Sequence, residues 1–241
     1  MAGIYIHIPF CKTRCHYCNF YSLASSKYMP LFFDTLKKEI NIQKDYLGKE
    51  QINTIYLGGG TPSLFPAVML EEMLNEIYAN FSVSEHAEIT IEANPDDVSE
   101  SWVNDIRQSG INRVSLGVQS FHDEDLVYLN RVHSGSEAEI AVSRLRAAGF
   151  DNLTLDLIYG IPTLSEGKWI DNLERFFRFE IPHLSAYALT VEEKTALSKL
   201  VIKGKIKAPD DELTVEHFKT LLSMTAEKGF IHYEISNFAR E

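Results

Sequence analysis

Three cysteines carry the most specific chemical signal in this sequence of 241 residues. Cys11, Cys15 and Cys18 form a C-x3-C-x2-C pattern, and the sequence has no other cysteine. Iron–sulfur clusters are held by cysteine thiolates, usually four to a cubane. Three thiolates leave one iron without a protein ligand, and an open coordination position lets a metal centre bind a small molecule. We therefore predict a [4Fe–4S] cluster with one iron open to a second ligand.

A zinc site is the main alternative interpretation of these cysteines. His16 would be the fourth ligand, but it directly follows Cys15, which is a strained spacing for tetrahedral coordination. Zinc signatures also pair a C-x2-C with a second, distant pair of ligands, which this sequence lacks. An odd, clustered set of cysteines argues against a secreted disulfide framework. The cysteines therefore predict a reducing, cytoplasmic setting.

Glycines and polar residues follow several short apolar segments of the sequence. Glycines let the backbone approach a ligand closely, a carboxylate in an apolar strand needs a partner, and arginine offers a forked donor to a carboxylate. The candidates are Gly59, Gly60, Thr61, Glu92, Gln119, Arg131 and Asp156. Structural alternatives remain open: a tight turn for the glycines, an exposed strand end for Glu92, a surface position for Arg131 and a loop cap for Asp156.

The elements that must position these residues alternate between strands and helices. Apolar segments at residues 3–9, 53–57, 88–93, 113–118, 153–158 and 183–189 predict strands. Amphipathic segments at residues 29–47, 67–80, 99–109, 136–148, 165–177 and 211–228 predict helices. Repeated strand–helix alternation is typical of parallel strands with helical crossovers.

An open doubly wound sheet and a barrel both fit this alternation. The candidate residues lie at the carboxyl ends of many different strands, and these ends converge on one face only in a barrel. We therefore predict an α/β fold, a partial (β/α)6 TIM-like barrel over residues 1–190. Residues 191–241 are predicted to be a helical and strand extension that begins an accessory domain, in a protein that continues past Glu241.

Composition and charge exclude several classes of function. Hydrophobic residues make up 45% of the sequence and charged residues 24%, which are ordinary values for a globular protein. The formal net charge of −11 disfavours nucleic acid as a partner, because such binding depends on neutralising phosphates. No apolar run reaches the roughly 18 residues that a membrane span needs. The apolar residues 1–10 are predicted to be a first strand and not a signal peptide.

The cysteine pattern, placed directly after the first strand and with Tyr17 before the last cysteine, resembles the radical SAM superfamily. The resemblance implies that the amino and carboxylate groups of S-adenosylmethionine (SAM) bind the open iron. It also implies that one electron from the reduced cluster cleaves SAM to a 5′-deoxyadenosyl radical. An electron donor such as flavodoxin or ferredoxin would then be a partner.

Within that superfamily, the whole sequence resembles oxygen-independent coproporphyrinogen III oxidases and their paralogues, the HemW-type haem chaperones. The motifs that carry the resemblance are residues 5–11 (YIHIPFC), 58–62 (GGGTP), 117–121 (GVQSF), 156–162 (DLIYGIP) and 233–239 (YEISNFA). By motif position the resemblance implies that Tyr5, Tyr17, Gly59 and Glu92 contact the cluster-bound SAM. A second SAM lies nearby in the oxidase, and its matching positions here are Gly60, Thr61, Gln119, Arg131, Asp156 and Ala188.

One residue separates the two branches of this family. The oxidase pattern continues as C-x3-C-x2-C-x-C, but Phe20 stands at the fourth cysteine position here. This difference favours a haem chaperone, which binds haem and passes it to a haem-accepting protein, and whose cleavage of SAM is left open. The alternative is an oxidase that decarboxylates coproporphyrinogen III.

Overall fold

Six parallel strands form the centre of the fold. The computed structural model describes residues 2–240. The strands are β1 (Ala2–Ile8), β2 (Ile52–Gly59), β3 (Val83–Ala93), β4 (Arg113–Gln119), β5 (Leu153–Tyr159) and β6 (His183–Ala188). All six predicted strands are confirmed, although β3 begins five residues earlier than its predicted start at residue 88.

Helices connect these strands. They are α1 (Met29–Ile42), α2 (Ala67–Asn80), α3 (Glu100–Gln108), α4 (Asp123–Leu129), α5 (Gly135–Ala147), α6 (Glu166–Arg178), α7 (Ala196–Ile202) and α8 (Asp211–Glu227). The six predicted helices are confirmed, and α4 and α7 were not predicted. Each of these two has seven residues, which is too short for a clear apolar period. Interactions at their amino-terminal ends stabilise them instead. Helix α4 has three acidic residues in its first turn, and Thr195 caps α7.

The strand order shows that the sheet is of the barrel type. Strands β1 to β6 pair in chain order, and every pair among them is parallel. A doubly wound sheet reverses its order at a switch point, whereas successive right-handed crossovers without reversal curl the sheet in one direction. The prediction of a partial (β/α)6 barrel is therefore confirmed.

The sheet continues past β6 with two short strands. β8 (Asn237–Ala239) pairs antiparallel with β6, and β7 (Ile231–Glu234) pairs with the other edge of β8. Both strands belong to residues 191–241, so this extension adds to the barrel sheet. The division of the chain at residue 190 stays a prediction.

An aromatic cluster anchors the start of the cysteine loop. Phe10, directly before Cys11, is 1% exposed, and its ring meets Phe32 edge to face with the ring centroids 5.4 Å apart. Two backbone hydrogen bonds close the loop, from Leu23 N to Pro9 O (2.6 Å) and from Cys11 N to Leu23 O (3.0 Å). The loop therefore starts and ends at fixed points beside the buried core.

Gly135, at the start of α5, leaves less room for an added Cβ atom than any other glycine of the described residues. A Cβ atom at this position would lie 2.0 Å from the carbonyl oxygen of Phe121. We expect Gly135→Ala to lower the free energy of unfolding by about 3 kcal/mol, because backbone must move to relieve the overlap. Urea denaturation of the metal-free protein measures this change.

Gly167 is the matched control for Gly135. It is an exposed residue of α6, and a Cβ atom there would meet nothing within 4 Å. Gly167→Ala should raise the stability by about 0.5–1 kcal/mol through helix propensity and a less flexible unfolded chain. Equal effects of the two substitutions would contradict the packing argument.

Candidate functional site

A cavity of about 460 Å³ opens where the parallel strands end. Its walls include residues at the carboxyl ends of β2, β3, β4 and β6, which is where active sites form in such barrels. Most of the residues singled out in the sequence line this cavity: Cys11, Cys15, Cys18, Tyr17, Gly59, Gly60, Thr61, Glu92, Gln119, Arg131, Asp156 and Ala188. The fold therefore brings together side chains that are up to 177 positions apart in the sequence.

The three cysteines are free thiols, partly exposed on the loop over the cavity. No group of three or more His, Cys, Asp or Glu side chains within residues 2–240 is arranged to hold a single metal ion. A cubane needs one thiolate for each of three irons, and the three cysteines that could supply them lie at this one cavity. Burial raises the pKa of the Cys18 thiol, and the neighbouring Cys15 adds to the effect. His16 uses its Nδ1 to donate to the carbonyl of Tyr128 (2.9 Å), and this contact ties the cysteine loop to α4.

Arg131 supplies positive charge beside the cysteines. Its Nη1 lies 3.4 Å from Cys15 Sγ, and its Nη2 donates to Asn94 Oδ1 and to the carbonyl of Gly117, both at 2.7 Å. Its buried Nε has no hydrogen-bond partner within the described residues. A guanidinium here stabilises a thiolate and leaves one donor for an anionic group. The surface alternative for Arg131 is therefore wrong.

Asn94 is a site residue that was not predicted. Its Nδ2 donates to Thr61 Oγ1 (3.3 Å), and its Oδ1 accepts from Arg131, so it joins two predicted residues. The sequence feature that could have identified Asn94 is its position two residues after Glu92, directly after the end of β3.

Glu92 is held by two donors from strand β2. Its Oε1 accepts from the Tyr56 hydroxyl, and its Oε2 accepts from the backbone N–H of Gly59, both at 2.9 Å. Burial raises the pKa of Glu92, and these two hydrogen bonds oppose that rise. Glu92 is thus fixed in the cavity wall and is not an exposed strand end. Tyr56 was missed because only the pairing of β2 with β3 brings it near Glu92.

Asp156 lies in the middle of β5 and faces the cavity. Both carboxylate oxygens lie 3.3 Å from Ser115 Oγ on the adjacent strand β4. Burial raises the pKa of Asp156 to about 7, and the negative charge of Glu92 adds to the rise, while hydrogen bonds from Ser185 and Ser115 lower it. The cavity therefore holds a carboxyl group that changes charge near neutral pH.

The raised pKa of Asp156 predicts a pH-dependent stability. The carboxyl ionises near pH 4 in the unfolded chain and near pH 7 in the folded protein, so folding loses stability as the pH rises between these values. Asp156→Asn removes this loss. Between pH 5 and pH 8, we expect the free energy of unfolding of the variant to rise by about 3 kcal/mol relative to the parent. Urea denaturation of the metal-free protein at both pH values tests this.

The control for Asp156 is Asp105, an exposed aspartate of α3. Asp105→Asn should change the stability by the same small amount at both pH values. A pH-independent difference for Asp156→Asn as well would contradict the assignment.

Gln119 has an unusual backbone conformation at the end of β4. Its φ is +69°, in the left-handed region that non-glycine residues seldom adopt, and the residue is 8% exposed. Such conformations cluster at functional sites.

Tyr5 does not line the cavity. It is 59% exposed, its hydroxyl lies 3.1 Å from His7 Nδ1, and its ring stacks on Tyr56 with the centroids 6.1 Å apart. Its contact with SAM stays a prediction.

His7 connects the glycine run to the cysteine loop. Its Nε2 lies 3.0 Å from the carbonyl of Tyr21, three residues after Cys18. Gly59 has a φ of +114°, and a Cβ atom there would lie 2.5 Å from His7 Nδ1. Only glycine fits this close approach to His7. A tight turn alone would therefore not explain why a glycine stands at position 59.

Comparison with known proteins identifies the relatives of this chain. It is 36% identical to "Heme chaperone HemW" from Mycobacterium tuberculosis over 242 aligned residues, which cover 99% of this chain and 62% of that protein. It is 34% identical to the protein of the same name from Bacillus subtilis, covering 100% of this chain and 64% of the relative. The chain therefore spans about three fifths of the length of these curated relatives.

A solved structure and a family comparison agree with this result. Coproporphyrinogen III oxidase from Escherichia coli superposes with a TM-score of 0.88 at 24% identity, over 99% of this chain and 55% of that chain, which shows a shared fold. None of the helices within residues 2–240 is long and apolar enough to cross a membrane. The family model of the radical SAM superfamily matches residues 5–176 and implies a [4Fe–4S] cluster and SAM, for which the cavity has suitable donors. The chain belongs to the radical SAM superfamily.

Proposed function

We propose that this chain binds a [4Fe–4S] cluster through Cys11, Cys15 and Cys18, binds SAM in the adjoining cavity, and acts in a haem chaperone. The observation that carries the proposal is the single cavity shared by the three thiols, the glycine run and Glu92. When bound, the cluster would supply an open iron for the SAM amino and carboxylate groups and one electron for its sulfonium.

The residues around the cavity suggest how SAM would be held. Gly59 and Gly60 let the backbone approach the ligand, and Glu92 offers carboxylate oxygens to an ammonium or hydroxyl group. Tyr17 offers an aromatic face for adenine beside the cysteines. Tyr5 stands next to Tyr56, which donates to Glu92, and would support that carboxylate.

A second group of residues would hold further polar parts of a ligand. The unpartnered Nε of Arg131 is a buried donor, and Asp156 is a partly buried carboxyl in the same cavity. Thr61, Gln119 and Ala188 complete this part of the wall. We propose these residues as the contacts of a second small molecule, either another SAM or part of the porphyrin.

Two observations favour a haem chaperone over an oxidase. Phe20 replaces the fourth cysteine of the oxidase pattern and is 62% exposed at the cavity. The two relatives described above that are named as haem chaperones are 36% and 34% identical to this chain, whereas the oxidase structure is 24% identical. Haem is therefore the proposed ligand and a haem-accepting protein the proposed partner. A reducing compartment, the cytoplasm, suits three thiolate ligands.

Anaerobic reconstitution of the cluster tests the proposal. The loaded protein is incubated with SAM, a reductant and coproporphyrinogen III, and separately titrated with haem. We expect stoichiometric haem binding, seen as a shift of the haem absorption band, and no loss of carboxyl groups from the porphyrinogen. Multiple turnovers of 5′-deoxyadenosine with decarboxylation would establish the oxidase instead, and failure to assemble any cluster would reject both functions.

A further inference from the structure

A cluster of lysines lies on the surface next to the cysteine loop. Residues 194–207, which we call the lysine segment, comprise α7, the two residues before it and the loop after it, and they contain no acidic residue. Its lysines are Lys194, Lys199, Lys203, Lys205 and Lys207, and all five are exposed. None of them forms an ion pair with another described residue. This concentration of charge is unusual in a chain with a net charge of −11.

The lysine segment is attached to the cysteine loop at two points. The backbone N–H of Leu197 donates to the carbonyl of His16 (2.7 Å), and His16 directly follows Cys15. At the other end, the Tyr128 hydroxyl donates to the carbonyl of Lys207 (2.6 Å), and the Tyr128 carbonyl accepts from His16 Nδ1 (2.9 Å). Through His16, a molecule bound to this segment would therefore sit close to the ligands of the cluster.

The form of the surface indicates a macromolecule as its partner. None of the five lysines lines the cavity, so their charges face outward and not toward a ligand inside it. Ile202, between Lys199 and Lys203, is 82% exposed and gives the surface an apolar residue among the charges. Apolar contacts surrounded by complementary charge are typical of protein interfaces.

Charge and composition favour an acidic protein over a nucleic acid. The lysine segment contains neither aromatic residues nor arginine. It therefore cannot stack on bases or bind phosphates in the bidentate way that a guanidinium group does. A nucleic acid is a long polyanion that would extend beyond the lysine segment, where the net negative charge of the chain would repel it. An acidic protein needs to contact only the local positive surface, whose attraction acts over about one Debye length, roughly 10 Å at 0.1 M salt.

We propose that the lysine segment is the docking surface for an acidic one-electron carrier protein that reduces the cluster. This inference rests on the proposed function, because it requires the cluster on the three cysteines. In the step, the carrier is oxidised by one electron and the cluster is reduced by one electron, and no covalent bond forms or breaks. Docking beside His16 keeps the path of the electron short.

Binding of a flavodoxin, used as the acidic probe, tests the surface directly. The triple variant Lys199→Glu, Lys203→Glu, Lys205→Glu is compared with Lys38→Glu, Lys44→Glu, Lys49→Glu, whose three lysines are exposed on or just after α1. Both variants change the net charge equally. At about 50 mM salt we expect the first to bind at least 10-fold more weakly than the parent and the second within about 2-fold, with the difference shrinking at high salt.

Several results of this binding measurement would overturn the proposal. Equal weakening in both variants would mean that only net charge matters, and unchanged binding in both would mean that the carrier docks elsewhere. Equal binding of an acidic protein without a redox group, or preferential binding of a DNA oligonucleotide, would also reject it. Circular dichroism of each variant verifies the fold.

The rate of cluster reduction separates docking from the proposed function. In reconstituted protein, we expect flavodoxin to reduce the cluster at least 10-fold more slowly in the first variant than in the parent. Photoreduced deazaflavin, a small reductant that needs no docking surface, should reduce both at equal rates. Equal rates with flavodoxin would contradict the proposal. Failure of the parent to take up a cluster would reject the proposed function, while the binding measurement on the metal-free protein would still decide whether the surface recognises the carrier.

Discussion

Replacing Cys15 with alanine is expected to abolish the iron–sulfur cluster. The chain contains only three cysteines, and all three are needed because each would bind a different iron. The iron content after anaerobic reconstitution should fall from about four per chain to nearly none. The fold should survive, since the cysteine loop lies outside the buried core and Phe10 still anchors its start. Iron and sulfide analysis with far-ultraviolet circular dichroism measures both effects.

Two variants of the same loop are controls for Cys15→Ala. Thr13 is exposed at the cavity, so Thr13→Ala should keep the full iron content. His16→Ala removes the ligand that a zinc site would need, and it should keep most of the iron if the site holds a cubane. A stable mononuclear zinc site that is lost in both His16→Ala and Cys15→Ala would contradict the cluster assignment.

The outline of the fold follows from the sequence because its signals are local. Six strands and six helices were predicted from alternating apolar patterns, and the convergence of Glu92 and Gln119 on one face followed from their positions near the carboxyl ends of strands. The two short helices gave no period long enough to detect. Local pattern was therefore sufficient for the barrel and insufficient for its connections.

The partners of the site residues could not be predicted in the same way. Tyr56 and Ser115 reach Glu92 and Asp156 only through strand pairing, and Asn94 joins Thr61 to Arg131 across two loops. The lysine segment has a visible charge pattern, but its position beside the cysteines depends on hydrogen bonds between residues far apart in sequence. Such contacts are properties of the packed structure and not of any single segment.

The second large effect is expected for Gly59→Ala. Gly59 combines a φ of +114° with a predicted Cβ contact of 2.5 Å to His7, and its N–H also donates to Glu92. An alanine must displace either the His7 ring or the backbone of the glycine run. Movement of that backbone would release Glu92 and narrow the cavity. We expect the affinity of the cluster-loaded protein for SAM to fall at least about 100-fold, which corresponds to about 2.7 kcal/mol.

Gly48 provides a control that separates backbone strain from collision. Its φ is +59°, and a Cβ atom there would meet nothing within 4 Å, so Gly48→Ala carries strain without overlap. Gly48→Ala should cost about 1 kcal/mol of stability and leave SAM affinity unchanged. Equilibrium dialysis with labelled SAM measures the affinities of both variants at equal cluster content.

A double substitution tests whether the Cβ atom added by Gly59→Ala collides with the His7 ring. His7→Ala removes the ring that an added Cβ would meet, although the strain of the positive φ remains. If the collision dominates, Gly59→Ala should cost less SAM affinity in the His7→Ala background than in the parent, and the coupling energy between the two positions should exceed about 0.5 kcal/mol. Additive effects would instead assign the loss to backbone strain and to Glu92 alone. The presence or absence of this coupling therefore decides whether the glycine run and the cysteine loop act as one unit, since His7 is the side chain that contacts both.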